Sequence, residues 1–273
     1  MLCSPGEMAK RAEYIGVSKA EAPTQKVFYL ALLAGAFIGM GAIFATTIST
    51  GTTGVLPFGV SKLLTGFVFC LGLILVIVGG AELFTGNNLI VMAWAGGKVT
   101  TAQLMRNWVI VYVGNFIGSI GTAVLLFWSK QYTFGGGAVG TTALTIANAK
   151  VDLGFGQAIA LGILCNALVC LAVWLTFSAR STMDKIMAII FPITAFVAAG
   201  FEHSIANMYF IPIGLFIKAF DPTFAASTGL DLTNLTWGNF FIANLLPVTI
   251  GNIIGGTVFV AAIYWLIFLR ENK

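Results

Sequence analysis

The chain has 273 residues, 58% of them hydrophobic and only 9% charged, with a formal net charge of +4. A soluble domain carries about 25% charged residues, so a water-exposed enzyme or nucleic-acid-binding domain is excluded and the solvent is lipid. The charge excess needs no nucleic acid, because the anchoring of loops at a membrane surface accounts for most of it.

The first 26 residues are charged and mixed, with no apolar core of the cleavable-signal type. Met8, Ala12, Ile15 and Lys19 share one helical face, which suits an amphipathic interfacial helix, with a disordered tail as the alternative. Long uncharged runs follow: 35 residues between Lys26 and Lys62, 23 between Arg106 and Lys130, 27 between Asp152 and Arg180, and 38 between Asp231 and Arg270. A spanning helix needs about 20 apolar residues. Six spans fit, near 27–48, 63–95, 108–128, 155–177, 186–217 and 240–269. The expected class is an all-α integral membrane protein. It has a short segment 1–26, a six-helix domain over 27–269 with halves 27–130 and 151–269, and a tail 270–273. With the N-terminus inside, the inner segments hold ten Lys and Arg and the outer ones four, namely Lys62, Lys130, Lys150 and Lys218. The positive-inside rule then places both termini in the cytoplasm.

The second and fifth spans are interrupted. One break reads Gly80-Ala-Glu82-Leu-Phe-Thr85-Gly-Asn87, the other Gly200-Phe-Glu202-His203-Ser-Ile-Ala-Asn207, and both fit G-x-E-x-x-x-x-N at an offset of 120 residues. The third span carries Asn107-x6-Gly114-Asn115-x2-Gly118 and the sixth Asn244-x6-Gly251-Asn252-x2-Gly255. Each half therefore holds three spans with its second one broken. Three is odd, so the halves are inverted, and such repeats put a site at the bilayer midplane. Matched breaks of this kind point to a permeation or binding site.

A break creates a helix N-terminus within the bilayer, whose free N–H groups carry about half a positive charge and favour an anion. His203 is the only histidine. It titrates near pH 6.5 when unperturbed, and it can offer a small anion a hydrogen bond or a proton. A neutral acid crosses apolar barriers far more cheaply than its anion. Glu82 and Glu202 read as helix-capping carboxylates, with Glu202 also orienting His203. Thr85 supplies a hydroxyl opposite His203, although a membrane threonine often bonds only its own backbone. Phe69, Leu73, Leu83, Phe84, Val169 and Phe196 are apolar residues that could equally be packing. The four cysteines lack the paired spacing of a zinc site, so no metal and no cofactor is expected.

These residues make the chain resemble the formate–nitrite transporter family over nearly its whole length. The resemblance rests on Lys62-Leu-Leu-Thr-Gly, Gly80-Ala-Glu-Leu-Phe-Thr85, Asn107-Trp-x3-Tyr-x-Gly-Asn115, Cys170-Leu-Ala-Val-Trp-Leu and Ser181-Thr-Met-Asp-Lys185. It rests further on Phe201-Glu-His-Ser-Ile-Ala-Asn-Met208 and Pro247-Val-Thr-Ile-Gly-Asn-Ile-Ile-Gly-Gly256. It implies an aquaporin-like protomer in a homopentamer, with one pore per protomer, passing small monovalent anions, chiefly formate. It implies a central His203 and Thr85 site between two hydrophobic constrictions, formed by Phe69, Leu73, Leu83, Phe84, Val169 and Phe196. Asn166 and Asn252 match polar pore residues, and Lys150 matches a lysine of the outer vestibule. The expected function is a passive, pH-sensitive formate channel in a bacterial cytoplasmic membrane, without enzyme activity. A nitrite or hydrosulfide channel is the alternative within the family, and a non-conducting sensor or scaffold the alternative outside it.

Overall fold

The computed structural model describes residues 3–270, so most of the expected tail 270–273 lies outside the described residues. All secondary structure among the described residues is helical. In chain order it comprises α1 (Pro5–Glu21), α2 (Thr24–Ser49), α3 (Phe58–Gly79), a 3-10 turn Gly86–Ile90 leading into α4 (Val91–Ala95), α5 (Thr101–Trp128) and α6 (Ala138–Val151). Then follow α7 (Phe155–Thr176), α8 (Thr182–Ala198), α9 (Ser204–Phe220), α10 (Pro222–Ser227) and α11 (Trp237–Phe268). Helix α11 contains π-helical turns at Phe240–Leu245 and Thr257–Ala262. Five helices, α2, α3, α5, α7 and α11, are long and apolar enough to cross a membrane. The expected interrupted fifth span is the pair α8 and α9, of 17 residues each, parted at residues 199–203.

Both breaks are written into the sequence in the same way. Gly80 and Gly200 follow α3 and α8 with φ of +75° and +74°, the left-handed region that glycine enters without steric cost. The next N–H turns back onto the helix in each case, Ala81 to the Val76 carbonyl at 2.9 Å and Phe201 to the Phe196 carbonyl at 3.0 Å. A Cβ on either glycine would meet nothing within 4 Å. The glycines are therefore needed for backbone conformation, and not for space. Starts are encoded as clearly: Ser4 with Glu7, Thr100 with Gln103 and Ser181 with Asp184 form capping boxes. The Glu7 and Asp184 carboxyls are held below the usual carboxylate range, chiefly by donation from the backbone N–H groups of Ser4 and Arg180 respectively.

Two elements add to the expectation. Helix α1 forms where an amphipathic helix was expected, and its apolar face is covered by protein. It buries Met8, Ala9, Ala12, Gly16 and Ala20, and it packs on the 3-10 turn and α4. Its mixed composition follows from that seat: small residues face protein, and its lysines reach inward or outward. Helix α6 fills a stretch read from sequence as a connection. It is short, and its apolar residues face α9, so no span-length signal betrays it.

Helix pairs α2 with α5 and α7 with α11 approach closely where the repeated glycines lie. A Cβ on Gly118 would collide with the Leu32 carbonyl, and one on Gly255 with the Ile163 carbonyl. Backbone cannot yield as a flexible side chain can. Gly118→Ala is expected to lower stability by about 1–3 kcal/mol. Gly121→Ala, three residues along the same helix with nothing within 4 Å of its added Cβ, is expected to be neutral or mildly stabilising. Thermal unfolding of the two variants in detergent checks the contrast, and equal losses would show that close approach is not the cause.

Candidate functional site

The site is assembled from pairs of equivalent bonds, one set around each break. Lys19 Nζ donates to Glu82 Oε1 at 2.8 Å, and Lys150 Nζ to Glu202 Oε1 at 2.7 Å. Asn87 Nδ2 donates to Glu82 Oε2, and Asn207 Nδ2 to Glu202 Oε2, both at 2.6 Å. Asn87 also donates to Asn107 Oδ1 at 2.9 Å and Asn207 to Asn244 Oδ1 at 2.8 Å. Asn107 and Asn244 in turn donate to the carbonyls of Lys19 and Lys150. Helices α1 and α6 are thus equivalent, each delivering a lysine from its last turns to the other repeat-related parts. Each repeat starts one helix earlier than the sequence pattern indicated.

The two glutamates are therefore not helix caps. Their carboxylates take lysine and asparagine side chains, and no bond joins Glu202 to His203. The cap of α9 is His203 itself, whose Nδ1 accepts from the Ala206 N–H at 3.1 Å. That bond leaves the neutral ring's proton on Nε2, which lies 2.9 Å from Thr85 Oγ1. The ring thus donates to threonine, joining one break to the other.

Asn166 and Asn252, expected in the pore, instead brace the breaks. Asn252 Oδ1 accepts the Ser204 N–H at 2.9 Å while its Nδ2 donates to the carbonyls of Gly162 and Glu202. Its repeat counterpart Asn115 does the same with Phe84 N–H and the carbonyls of Ala31 and Glu82. Asn166 Nδ2 lies within reach of the Asn252 carbonyl, Asn88 Oδ1 and the Thr85 carbonyl. All three asparagines are fully buried. Unpaired backbone groups at such depth would each cost about 1–3 kcal/mol, and the amide side chains, each both donor and acceptor, remove that cost.

Three cavities adjoin one another through shared lining residues. The first, of about 280 Å³, lies beside α1 and the first break, lined by Arg11, Lys19, Leu73, Glu82, Leu83 and Lys185 among others. The second, of about 290 Å³, lies beside α6 and the second break, lined by Lys62, Phe69, Lys150, Phe196, Glu202 and His203 among others. Between them is a void of about 10 Å³, bounded by Ile38, Phe69, Leu73, Leu83, Val169, Ile193, Phe196 and His203. Such a void holds no more than a single water. Leu73 and Leu83 face both the void and the first vestibule, and Phe69, Phe196 and His203 face both the void and the second. The Phe196 ring lies 5.9 Å from the His203 ring, nearly parallel to it, and 5.7 Å from that of Phe69, edge-on.

Of the expected constriction residues, Phe69, Leu73, Leu83, Val169 and Phe196 surround this void, and Ile38 and Ile193 join them. Phe84 does not. Its ring packs against Trp108 and Tyr112 of α5 and lines none of these cavities. Thr85 is fully buried behind His203. Lys150 lines the second vestibule, and Lys19 is its unforeseen counterpart in the first. The asparagines at 87, 107, 207 and 244 stood in the repeated pattern, which was the signal that could have assigned them. Arg11, Lys19 and Lys185 line the first vestibule, and Lys62 and Lys150 the second.

Interrupted apolar helices in two matching sets, with vestibules meeting at one imidazole, define a multi-pass membrane protein of the channel or transporter class. The family model for the formate/nitrite transporter matches residues 6–266. The chain is 48% identical to the formate channel FocA of Escherichia coli over 275 residues, covering 99% of this chain and 96% of that one. It is 40% identical to the formate channel FocA of Haemophilus influenzae over 259 residues, 93% of this chain and 91% of that one. A solved pentameric formate channel with formate bound superimposes with a TM-score of 0.84 at 48% identity, covering 90% of this chain and 98% of that one. A solved ion channel of the same family, 27% identical, gives a TM-score of 0.82 over 96% of this chain and 98% of that one. The chain belongs to the formate/nitrite transporter family.

Proposed function

We propose that this protein is a passive, pH-sensitive channel for formate and related small monovalent anions. It acts as a homopentamer in the bacterial cytoplasmic membrane with both termini inside, and it catalyses no reaction. One observation carries the reading: among the described residues, His203 is the only polar side chain bordering the void in which two apolar vestibule floors meet. The names of the similar proteins support formate as substrate and the pentamer as assembly.

The mechanism follows from the bonds. An anion gathers in a vestibule whose lysine is already held by a glutamate, so it is attracted without tight capture. Leu73 and Leu83 on one side, and Phe69 and Phe196 on the other, strip its water. At the void, His203 Nε2–H exchanges Thr85 for the anion's oxygen, replacing one neutral acceptor by a charged one. The void is smaller than formate, so the flanking side chains move apart as the ion passes. Protonating Nδ1 would break the Ala206 cap, and this ties the charge of the ring to the start of α9 and makes passage sensitive to pH.

The test is side-by-side flux of formate, nitrite and hydrosulfide into liposomes across a pH series. Formate is expected to pass fastest. Faster nitrite or hydrosulfide would reassign the substrate within the family, and no anion flux at all would leave a sensor or scaffold.

A further inference from the structure

A cavity of about 1120 Å³ forms a bowl beside the second vestibule, between the turn joining α2 to α3 and the start of α6 with α10. Half of its lining residues are serine or threonine, none is acidic, and only Lys62 is charged. Lys62, Thr65 and Ile146 line both the bowl and the vestibule that holds His203. The bowl therefore opens onto the proposed anion path.

Its hydroxyls are not an anion site. Thr65, Thr141, Thr142 and Thr145 donate to carbonyls one turn back, at 2.8–3.2 Å. What they leave facing the bowl are lone pairs, which hold water and repel an anion. In the vestibule beyond, the charges are Lys62, Lys150 and Glu202. Lys150 is neutralised by Glu202 at 2.7 Å. Lys62 has no carboxylate within 4.0 Å among the described residues, and its ammonium lies 5.5 Å from the centre of the Phe58 ring, which leaves its charge intact. The net positive charge of this whole entrance is one side chain.

We infer that Lys62 is the electrostatic collector of this entrance, a residue that sets how fast small anions permeate without gripping them. The inference rests on the anion-channel reading above. Charge acting through a wet bowl is screened over about 30 Å at 0.01 M salt but about 3 Å at 1 M. The effect of Lys62 must therefore depend on ionic strength, which a packing role would not.

The experiment is stopped-flow formate flux into liposomes carrying the full-length protein, with an impermeant salt varied between these limits. Lys62→Gln is expected to lower formate permeability about two- to fivefold at about 0.01 M salt and to match the parent at about 1 M. Lys62→Arg is expected to behave as the parent at both. Lys130→Gln, the same charge change on the connection leading to α6, is expected to leave flux unchanged. An equal loss for Lys62→Gln at both salt concentrations, or none at either, overturns the inference while parent flux keeps the channel reading intact. A parent that moves no formate overturns the channel reading instead.

Discussion

Replacing His203 by alanine is expected to cut formate permeability about ten- to a hundredfold and to abolish its dependence on pH. The size follows from what the anion loses. A hydrogen bond to a charged group contributes about 1.5–3 kcal/mol, and each 1.36 kcal/mol of barrier is tenfold in rate. Among the described residues no other polar side chain borders the void to replace it. Alanine also removes the cap of α9, so a second variant separates the two roles. Asparagine is among the best N-cap residues and can donate from its amide, but it does not titrate. His203→Asn is expected to keep the fold and a measurable flux that no longer varies with pH. Thr85→Val, which loses the bond to Nε2 and keeps the shape, is expected to change the pH profile and leave assembly intact. Liposome flux between pH 4 and pH 8 reads all three. A His203→Ala protein with the rate and pH profile of the parent would remove the imidazole from the mechanism.

How much of this was open to reading from sequence differs from residue to residue. The breaks were legible because their signals are local: a glycine that can take positive φ, a carboxylate two positions on and an asparagine five beyond that. The inverted halves were legible because two such patterns recur in the same order. His203 stood out as a lone imidazole in an apolar run. What failed was everything set by partners distant in the chain. Lys19 finds Glu82 across 63 residues and Lys150 finds Glu202 across 52, so both carboxylates read as caps when taken with their neighbours alone. Phe84 follows Leu83 in the chain yet points to the opposite side, into α5. Hydropathy is blind to that difference, because in lipid an apolar side chain fits either face. The resemblance put Asn166 and Asn252 among pore residues, and composition offers no correction: a buried amide that braces backbone and one that greets an ion look alike in sequence.

The buried pair at the second break is expected to dominate stability. Its side chains are 16% and 6% exposed for Lys150 and Glu202, against 28% and 11% for Lys19 and Glu82. Removing one member of a buried pair costs about 3–5 kcal/mol, mostly because the other charge is left without a counter-ion. Glu202→Ala strands the Lys150 ammonium and also leaves the Asn207 and Asn244 amides without their shared acceptor. It is therefore expected to prevent assembly or to lower the thermal midpoint steeply. Glu82→Ala is expected to do less, because water reaches Lys19 more easily. The reasoning makes a sharper demand on the double variant. Lys150→Met with Glu202→Gln removes both charges and keeps an acceptor for the two asparagines, and such replacements are often neutral or better. It should recover most of the stability lost by Glu202→Ala. Thermal unfolding and size-exclusion profiles in detergent decide the matter. A double variant no more stable than the single one would mean that the ion pair itself, and not the hydrogen bonds that glutamine retains, holds the break together.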